Sequence, residues 1–294
     1  MIYSVGQVVF DYIFHLKNFP KINSTTYVQN YGEFFGGAAG NVAVVCSKLG
    51  QKASIVSFVG DDFKGSAYER HLRKNRVDLT HLRAVEGEKT ARAFMFNDSK
   101  GRQISFFFWG AARRFHNAPI PNLKLGEGDV IHLANGSPEF NVRFARKYPG
   151  VSFDPGYDVV AYGKGEVKEI LKNTRFLFCN EFELKRILKL LGIKEKELFA
   201  FPLEFVVVTK GSRGSSVTTE DGSFDVPAVK GKLVDPTGAG DAYRAAFLSA
   251  FLKGESLKRC ARVASAVSSF VIQKYGAQTN IPSWREAVAR VEFV

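Results

Sequence analysis

The chain has 294 residues, 45% of them hydrophobic and 24% charged, with a formal net charge of +12. That length suits one large α/β domain or two small ones, and the balance leaves ample material for a core. No apolar run approaches a membrane span, and Met1–Val5 reads as a strand rather than a secretion signal. Cys46, Cys179 and Cys260 are far apart, lack metal-ligand spacing and sit in apolar segments, which points to buried thiols in a reducing cytoplasm. The positive charge is spread along the chain, and its densest cluster, Arg70–Arg76, reads as an exposed helix face. This favours attraction of a polyanionic small molecule over nucleic-acid binding.

Residues 2–9 read as a buried strand, with Asp11 directly after it. An acid there either points into a cleft or forms a turn. Residues 24–35 carry Tyr27, Tyr31, Phe34 and Phe35 and suggest strands on a more exposed sheet. Gly36-Gly37-Ala38-Ala39-Gly40-Asn41 then runs into a helix over 42–49. Small residues there admit a ligand or allow close helix–sheet packing, and Asn41 can donate and accept hydrogen bonds. A strand over 53–59 and a helix over 63–75 follow. Residues 90–96 and 103–109 form a β-hairpin by pattern, around the turn Asn97–Gly101. Phe106-Phe107-Phe108-Trp109 puts two aromatics on each face. One face can pack on the main body. The other suits a flat ligand or a dimer interface, and plain sheet packing also accounts for any one ring.

From Asp129 strands and helices alternate regularly: strands over 130–134, 151–153, 175–179 and 205–209, with helices over 140–147, 167–172 and 182–191 between them. This is the spacing of a doubly wound parallel sheet, whose ligands bind beyond the carboxyl ends of the strands. Three loops stand there: Asp154-Pro155-Gly156, Asn180-Glu181-Phe182-Glu183 and Thr209–Gly214. Asn180 and Glu183 suit a hydrated magnesium ion, but from the residues alone a helix N-cap with its capping-box acid is the reading preferred. Thr209–Gly214 could cradle phosphates or be a routine turn. A hairpin over 215–226 follows, and helices over 242–252, over 257–274 and from Ser283 end the chain.

The stretch Val234-Asp235-Pro236-Thr237-Gly238-Ala239-Gly240-Asp241-Ala242-Tyr243 stands out. Its glycines can turn backbone N–H groups outward just where a helix begins, which makes a site for a phosphate or a developing anion. An acid beside such a site is electrostatically awkward. Asp241 as a general base for a hydroxyl attacking a phosphoryl group explains it. No P-loop motif occurs.

The Asp235–Asp241 string resembles the C-terminal signature of the ribokinase-like (PfkB) family of carbohydrate and nucleoside kinases. Gly36–Asn41, Asn180–Glu183 and Thr209-Lys210-Gly211 are similar to its other motifs, in the same order, from residue 1 to about 282. More narrowly, Asp11–Phe14, Ile104–Ala112 and Ser152–Gly156 resemble archaeal nucleoside kinases of this family. The resemblance implies a ribokinase-like α/β fold: a three-layer, doubly wound, mainly parallel sheet of eight or nine strands, with a small β-sheet lid from residues 12–35 and 90–110. It implies one kinase domain over 1–294. It makes Asp241 the base, and the N–H groups of Gly238, Ala239 and Gly240 the anion hole. Asp11, Gly36, Gly37 and Asn41 would bind substrate hydroxyls, and Phe107 and Trp109 would stack on a base. Asn180, Thr209, Gly211 and Gly214 would line the nucleotide site, with Glu183 holding magnesium through water. Asp235, Thr237 and Gly276 match a site for a monovalent cation such as potassium. After Asp154-Pro155 the common sugar-kinase pattern continues Asn-x-Arg, whereas this chain has Gly156-Tyr157-Asp158.

The expected activity is ATP-dependent phosphorylation of a nucleoside 5′-hydroxyl (inosine, guanosine, cytidine or adenosine type). The protein would be cytoplasmic, a homodimer through the lid, with no nucleic-acid or membrane partner. Two readings compete. One is a sugar kinase of the same family acting on ribose, a fructose phosphate or a keto-deoxy sugar acid. The other is a basic nucleic-acid-binding protein, which predicts salt-sensitive binding and no turnover.

Overall fold

The computed structural model describes residues 1–100 and 102–292; Gly101, the last residue of the expected 97–101 turn, lies outside them. Nine strands form the larger sheet: β1 (Ile2–Val5), β4 (Ala53–Gly60), β5 (Leu82–Val85), β8 (Val130–Leu133), β9 (Val151–Phe153), β10 (Thr174–Asn180), β11 (Phe205–Thr209), β12 (Ser215–Thr219) and β13 (Gly222–Val226). Their spatial order is β13-β12-β11-β10-β9-β8-β1-β4-β5. The pairs from β10–β11 through β4–β5 are parallel, and β12 and β13 add an antiparallel edge. The short strand β5 carries no strong strand pattern and was not expected.

Side-chain alternation sorts each central strand between two cores. On β11, Phe205 and Val207 face one core while Val206 and Val208 face the other. On β10, Phe176 and Phe178 oppose Leu177 and Cys179 in the same way. The first core is closed by α1 (Ala38–Lys48), α2 (Ala67–Lys74), α6 (Ala239–Phe251), α7 (Leu257–Val271) and α8 (Trp284–Glu292). The second is closed by α3 (Pro138–Lys147), α4 (Lys164–Leu171) and α5 (Glu181–Leu191). Helices on both faces cover a sheet whose strands read as continuous apolar runs, as parallel sheets require. The expected three-layer, doubly wound fold is therefore what the chain adopts. No helix among the described residues is long and apolar enough to cross a membrane.

A second sheet has the order β3-β2-β6-β7, from β2 (Val9–Leu16), β3 (Val28–Gly36), β6 (Ala91–Asp98) and β7 (Gln103–Phe108). It includes the expected hairpin but begins earlier than expected. The strand read over 2–9 is two strands in two sheets. β1 stops at Val5, and the Gln7 carbonyl turns to accept from the Ala39 amide at 3.1 Å. Asp11 therefore lies within a strand of the second sheet rather than at the end of a core strand.

Position along the strands divides this sheet into two faces. Asp11, Ala93, Met95, Ser105 and Phe107 point toward the larger sheet's strand ends. Tyr12, Phe14, Phe94 and Phe96 form the outer face, with Tyr12 stacked on Phe94 and Phe14 on Phe96 at centroid distances of 5.4 and 4.6 Å. Neither face of β7 is covered: Phe106, Phe107 and Phe108 are all exposed. The expected packing of one aromatic face on the main body does not occur along β7, whose inner face opens into a cavity instead.

Candidate active site

The chain leaves β1 in one direction toward β4 and β5 and returns to the other side through β8–β11. Brought together at the carboxyl ends are Gln7 after β1, Asn135 after β8, Gly156 after β9, Asn180 at the end of β10, and Thr209 and Gly211 at β11. These residues, the second sheet and the start of α6 enclose a cavity of about 730 Å³. That is a ligand-sized volume at the place where open α/β sheets bind ligands.

Asp241 lies in the first turn of α6, on the cavity wall. Its Oδ2 accepts from Asn41 Nδ2 at 2.8 Å, and Arg244 Nη1 lies 3.3 Å from its Oδ1. Gly238 begins the helix in the left-handed region, φ 76°, and a Cβ there would fall 2.2 Å from that of Ala277. No other residue fits without displacing the helix start. The amides of Gly238, Gly240 and Asp241 have no hydrogen-bond partner among the described residues, but the Ala239 amide donates to the Pro236 carbonyl at 3.1 Å. The Ala239 amide is thus engaged rather than free for the expected anion hole, whereas those of Gly238, Gly240 and Asp241 are free among the described residues.

Asn41 does more than line the cavity. Its Oδ1 accepts from Gln278 Nε2 at 2.9 Å, Gln278 Nε2 also donates to the Tyr68 hydroxyl at 2.7 Å, and that hydroxyl donates to the Gly36 carbonyl at 2.7 Å. A buried chain of hydrogen bonds therefore joins the end of β3 to Asp241. One N–H of the Asn41 amide is thus engaged by the acid, while Asn41 still lines the cavity where a substrate hydroxyl was expected. Gln278→Leu removes two donations inside this chain. We expect a stability loss of about 1–3 kcal/mol, read as a lower melting temperature, and a reduced kcat because Asn41 loses its orientation.

Asp11 is buried and faces the cavity from the second sheet. Burial, then the charges of Asp235 and Asp241, push its carboxyl up from 3.8 to about 8. Gly36 makes room for it: a Cβ at Gly36 would sit 1.9 Å from Asp11 Oδ2. Gly36 itself is not on the cavity wall, where it was expected, but leaves the space that Asp11 occupies. Gly37 is on the wall and caps α1 with φ 84°, its would-be Cβ only 2.4 Å from the Gln7 carbonyl.

Asn180 and Glu183 form a capping box at α5. Glu183 Oε1 accepts from Asn180 Nδ2 at 2.8 Å, and Asn180 Oδ1 accepts from the Glu183 amide at 2.9 Å. Both residues line the cavity, so the cap and the site are the same feature. Burial raises the Glu183 carboxyl while Arg244 opposes that rise. One carboxylate and one amide suit a magnesium ion that keeps most of its waters and is held chiefly by substrate phosphates. Among the described residues no three His, Cys, Asp or Glu side chains could hold a metal by themselves.

Asp235, Thr237 and Gly276 do come together. Asp235 Oδ1 accepts from the Thr237 amide at 3.0 Å and Oδ2 from the Gly276 amide at 2.9 Å. Thr209 and Gly211 line the cavity, but Gly214 does not. Gly214 closes the β11–β12 turn, and a Cβ on it would lie 2.0 Å from the Val226 carbonyl. Phe107 lines the cavity as expected, whereas Trp109 does not. β7 ends at Phe108 and the chain turns at Gly110, so strand alternation no longer aims Trp109 inward. It packs against the second core and meets Phe107 edge-on at 5.1 Å.

Sequence reasoning missed Gln7, Asn135 and Arg244. For Arg244 a signal existed: it is the one charged residue between Asp241 and Lys253, in an otherwise apolar helix. A buried arginine requires partners.

Residues 1–284 match the pfkB family of carbohydrate kinases. The chain belongs to that family. It is therefore a phosphotransferase with an alcohol group as acceptor. It is 42% identical over 292 residues to a nucleoside kinase of Methanocaldococcus jannaschii, covering 98% of this chain and 95% of the relative. It is also 42% identical over 291 residues to a nucleoside kinase of Methanothermobacter thermautotrophicus, covering 98% and 94%. The crystal structure of the M. jannaschii nucleoside kinase, described as an archaeal member of the ribokinase family, superposes with a TM-score of 0.96 at 40% identity, covering 100% of this chain and 98% of that one. The ribokinase-like fold expected from the motifs is thus the family's own, with the larger mostly parallel sheet and the smaller separate one.

Proposed function

We propose that this pfkB-family kinase transfers the γ-phosphoryl group of ATP to the 5′-hydroxyl of a nucleoside. The observation that carries the reading is one cavity with three walls: Asp241 beside unpartnered amides, Asp11 on the second sheet, and an aromatic face at Phe107. The two relatives named nucleoside kinase support it.

In this mechanism Asp241 takes the 5′-hydroxyl proton as the oxygen attacks the γ-phosphorus. The new O–P bond forms as the bond to the bridging oxygen breaks, and ADP leaves with that electron pair. The amides of Gly238, Gly240 and Asp241, at the positive end of α6, stabilise the charge on the transferring group. Asn180 and Glu183 would hold magnesium through water; when bound, the ion supplies charge neutralisation across the phosphates. Thr209 and Gly211 would contact the nucleotide, and Asp11 the ribose hydroxyls. Asp235, Thr237 and Gly276 form the proposed monovalent-cation site, although both Asp235 oxygens already accept amides.

The chain would act as one domain over 1–294, with the second sheet as a lid that excludes water and suppresses ATP hydrolysis. The lid would also form a homodimer. Its outer face is a ladder of stacked rings, with Tyr31 and Phe106 left exposed and two unpaired strand edges, the kind of surface a second copy covers. Three buried free cysteines fit a cytoplasmic enzyme.

The test is a kinase assay over nucleosides, ribose, sugar phosphates and several nucleotide donors. Nucleosides are expected to exceed free ribose in kcat/KM by at least about tenfold, since stacking a base on Phe107 contributes about 1–3 kcal/mol. Ribose turned over as well as the best nucleoside would move the reading to a sugar kinase. Salt-sensitive nucleic-acid binding without turnover would remove it altogether.

A further inference from the structure

Among the described residues that line the cavity, Arg244 is the only lysine, arginine or histidine, while Asp11, Glu183 and Asp241 all place carboxylates there. A cavity that must receive the phosphates of a nucleotide is thus lined by three acids and one cation. The Thr209–Gly214 loop carries Lys210 and Arg213, but both turn outward: Lys210 pairs with Asp225 and Arg213 with Glu181. The loop after Asp154-Pro155 reads Gly156-Tyr157-Asp158 and offers no cation either.

Arg244 is held from behind. Its Nε forms an ion pair with Asp154 Oδ2, and Asp154 is completely buried at the end of β9, its Oδ1 accepting from the Gly156 amide at 3.0 Å. Burial works against the guanidinium's charge, but Asp154 first, then Asp241 and Glu183, more than restore it. Nη1 lies 3.3 Å from Asp241 Oδ1, a slack contact beside the close one to Asp154. Nη2 makes no hydrogen bond among the described residues. A buried ion pair costs desolvation and is a poor stabiliser by itself. Its position explains it better: it fixes the side of a rigid guanidinium between the base and the capping box where phosphates would lie.

We infer that Arg244, anchored by Asp154, is a catalytic residue that donates N–H bonds to the transferring phosphoryl group and aims Asp241 at the acceptor hydroxyl. This rests on the phosphotransfer reading above. Charge bookkeeping favours it. When Asp241 takes the hydroxyl proton it loses its negative charge, so the attraction between it and Arg244 falls. The same guanidinium is then left facing the negative oxygens of the phosphoryl group. Arg244 itself neither gains nor loses a proton. Asp154 touches no substrate and is a positioning residue. The planar fork of arginine is needed because three groups are addressed at once, which a lysine ammonium cannot do with the same geometry.

The experiment compares the full chain with Arg244→Gln, Arg244→Lys, Arg244→Ala and Asp154→Asn, measuring kcat and KM for the acceptor and melting temperature. Arg244→Gln is expected to lose about 10²–10³-fold in kcat, with acceptor KM changed by less than about threefold. Arg244→Lys should recover at least about tenfold of that loss by retaining the charge, and guanidinium ion added to Arg244→Ala should raise its kcat. Asp154→Asn should lower kcat in the same direction. A purely structural role predicts otherwise: equal loss in the Gln and Lys variants and no response to guanidinium. Either that pattern or a near-parental kcat in Arg244→Gln overturns the inference. Should Arg244→Gln fail to fold, melting of parent and Arg244→Lys with ADP, aluminium fluoride and acceptor decides the point: the inference requires weaker stabilisation of the lysine variant. The comparison is run on whichever acceptor the parent phosphorylates best, so a wrong acceptor class and a wrong role for Arg244 give separate results.

Discussion

Asp241→Asn is expected to lower kcat by about 10²–10⁴-fold, the usual contribution of a general base, while the protein folds and melts close to the parent. An amide matches a carboxylate in shape, and its oxygen can still accept from Asn41 Nδ2, which reaches the acid at 2.8 Å in the parent. Arg244 keeps Asp154 as its partner, so no buried charge is orphaned. What disappears is the capacity to take a proton from the attacking hydroxyl. ADP formation in a coupled assay, with acceptor KM and a thermal melt beside it, measures this. Turnover within about tenfold of the parent would leave Asp241 without the role, because less than one decade lies below any general-base contribution.

Asp11→Asn is expected to move activity and stability in opposite directions. A carboxylate accepting two ribose hydroxyls contributes about 1.5–3 kcal/mol per bond. Above pH 8, where the Asp11 carboxyl has released its proton, Asn keeps one acceptor oxygen, so the loss of one charge-assisted bond should cost kcat/KM about tenfold to a hundredfold, chiefly through KM. The same acid opposes folding at neutral pH. Burial and the neighbouring Asp235 and Asp241 raise it from 3.8 to about 8 in the folded chain. Between those values the folded state binds the proton that the unfolded state has released, so stability falls as pH rises through the window. The contribution is complete below about 4 and gone above about 8. Asp11→Asn removes this slope and should melt higher than the ligand-free parent at pH 8, and no higher at pH 4. A variant that melts lower at pH 8 would show that the carboxylate is stabilised by its surroundings.

Both residues were legible before the fold was known, but for different reasons. Asp241 follows a glycine-bearing loop at a helix start, and the whole ten-residue string is local, so its chemistry is written in consecutive residues. Asp11 was placed by resemblance. Its spacing alone left a turn as likely as a cleft, and its strand was assigned to the wrong sheet. The choice between sheets depends on the Gln7 carbonyl finding the Ala39 amide, a contact between segments about thirty residues apart. Trp109 and Gly214 were overread. Strand alternation and glycine content predict which way a side chain could face, but β7 stops one residue short of Trp109, and Gly214 packs on the β13 carboxyl end.

The chain's own sequence determined the alternation of strands and helices, the two-core sheet, the capping box at Asn180 and the glycine-bearing helix start at Gly238. Each of these is set by short-range periodicity or by a few neighbouring backbone amides. Only the tertiary structure decided which polar groups meet. Asn41, Gln278 and Tyr68 are separated by long stretches of chain yet form one hydrogen-bonded line to Asp241. Arg244 and Asp154 pair across the interior from helix and strand. Burial makes such pairings necessary, since an unpartnered charge or amide in the interior is costly. Which partner satisfies it depends on the packing of whole elements, and no local pattern records that.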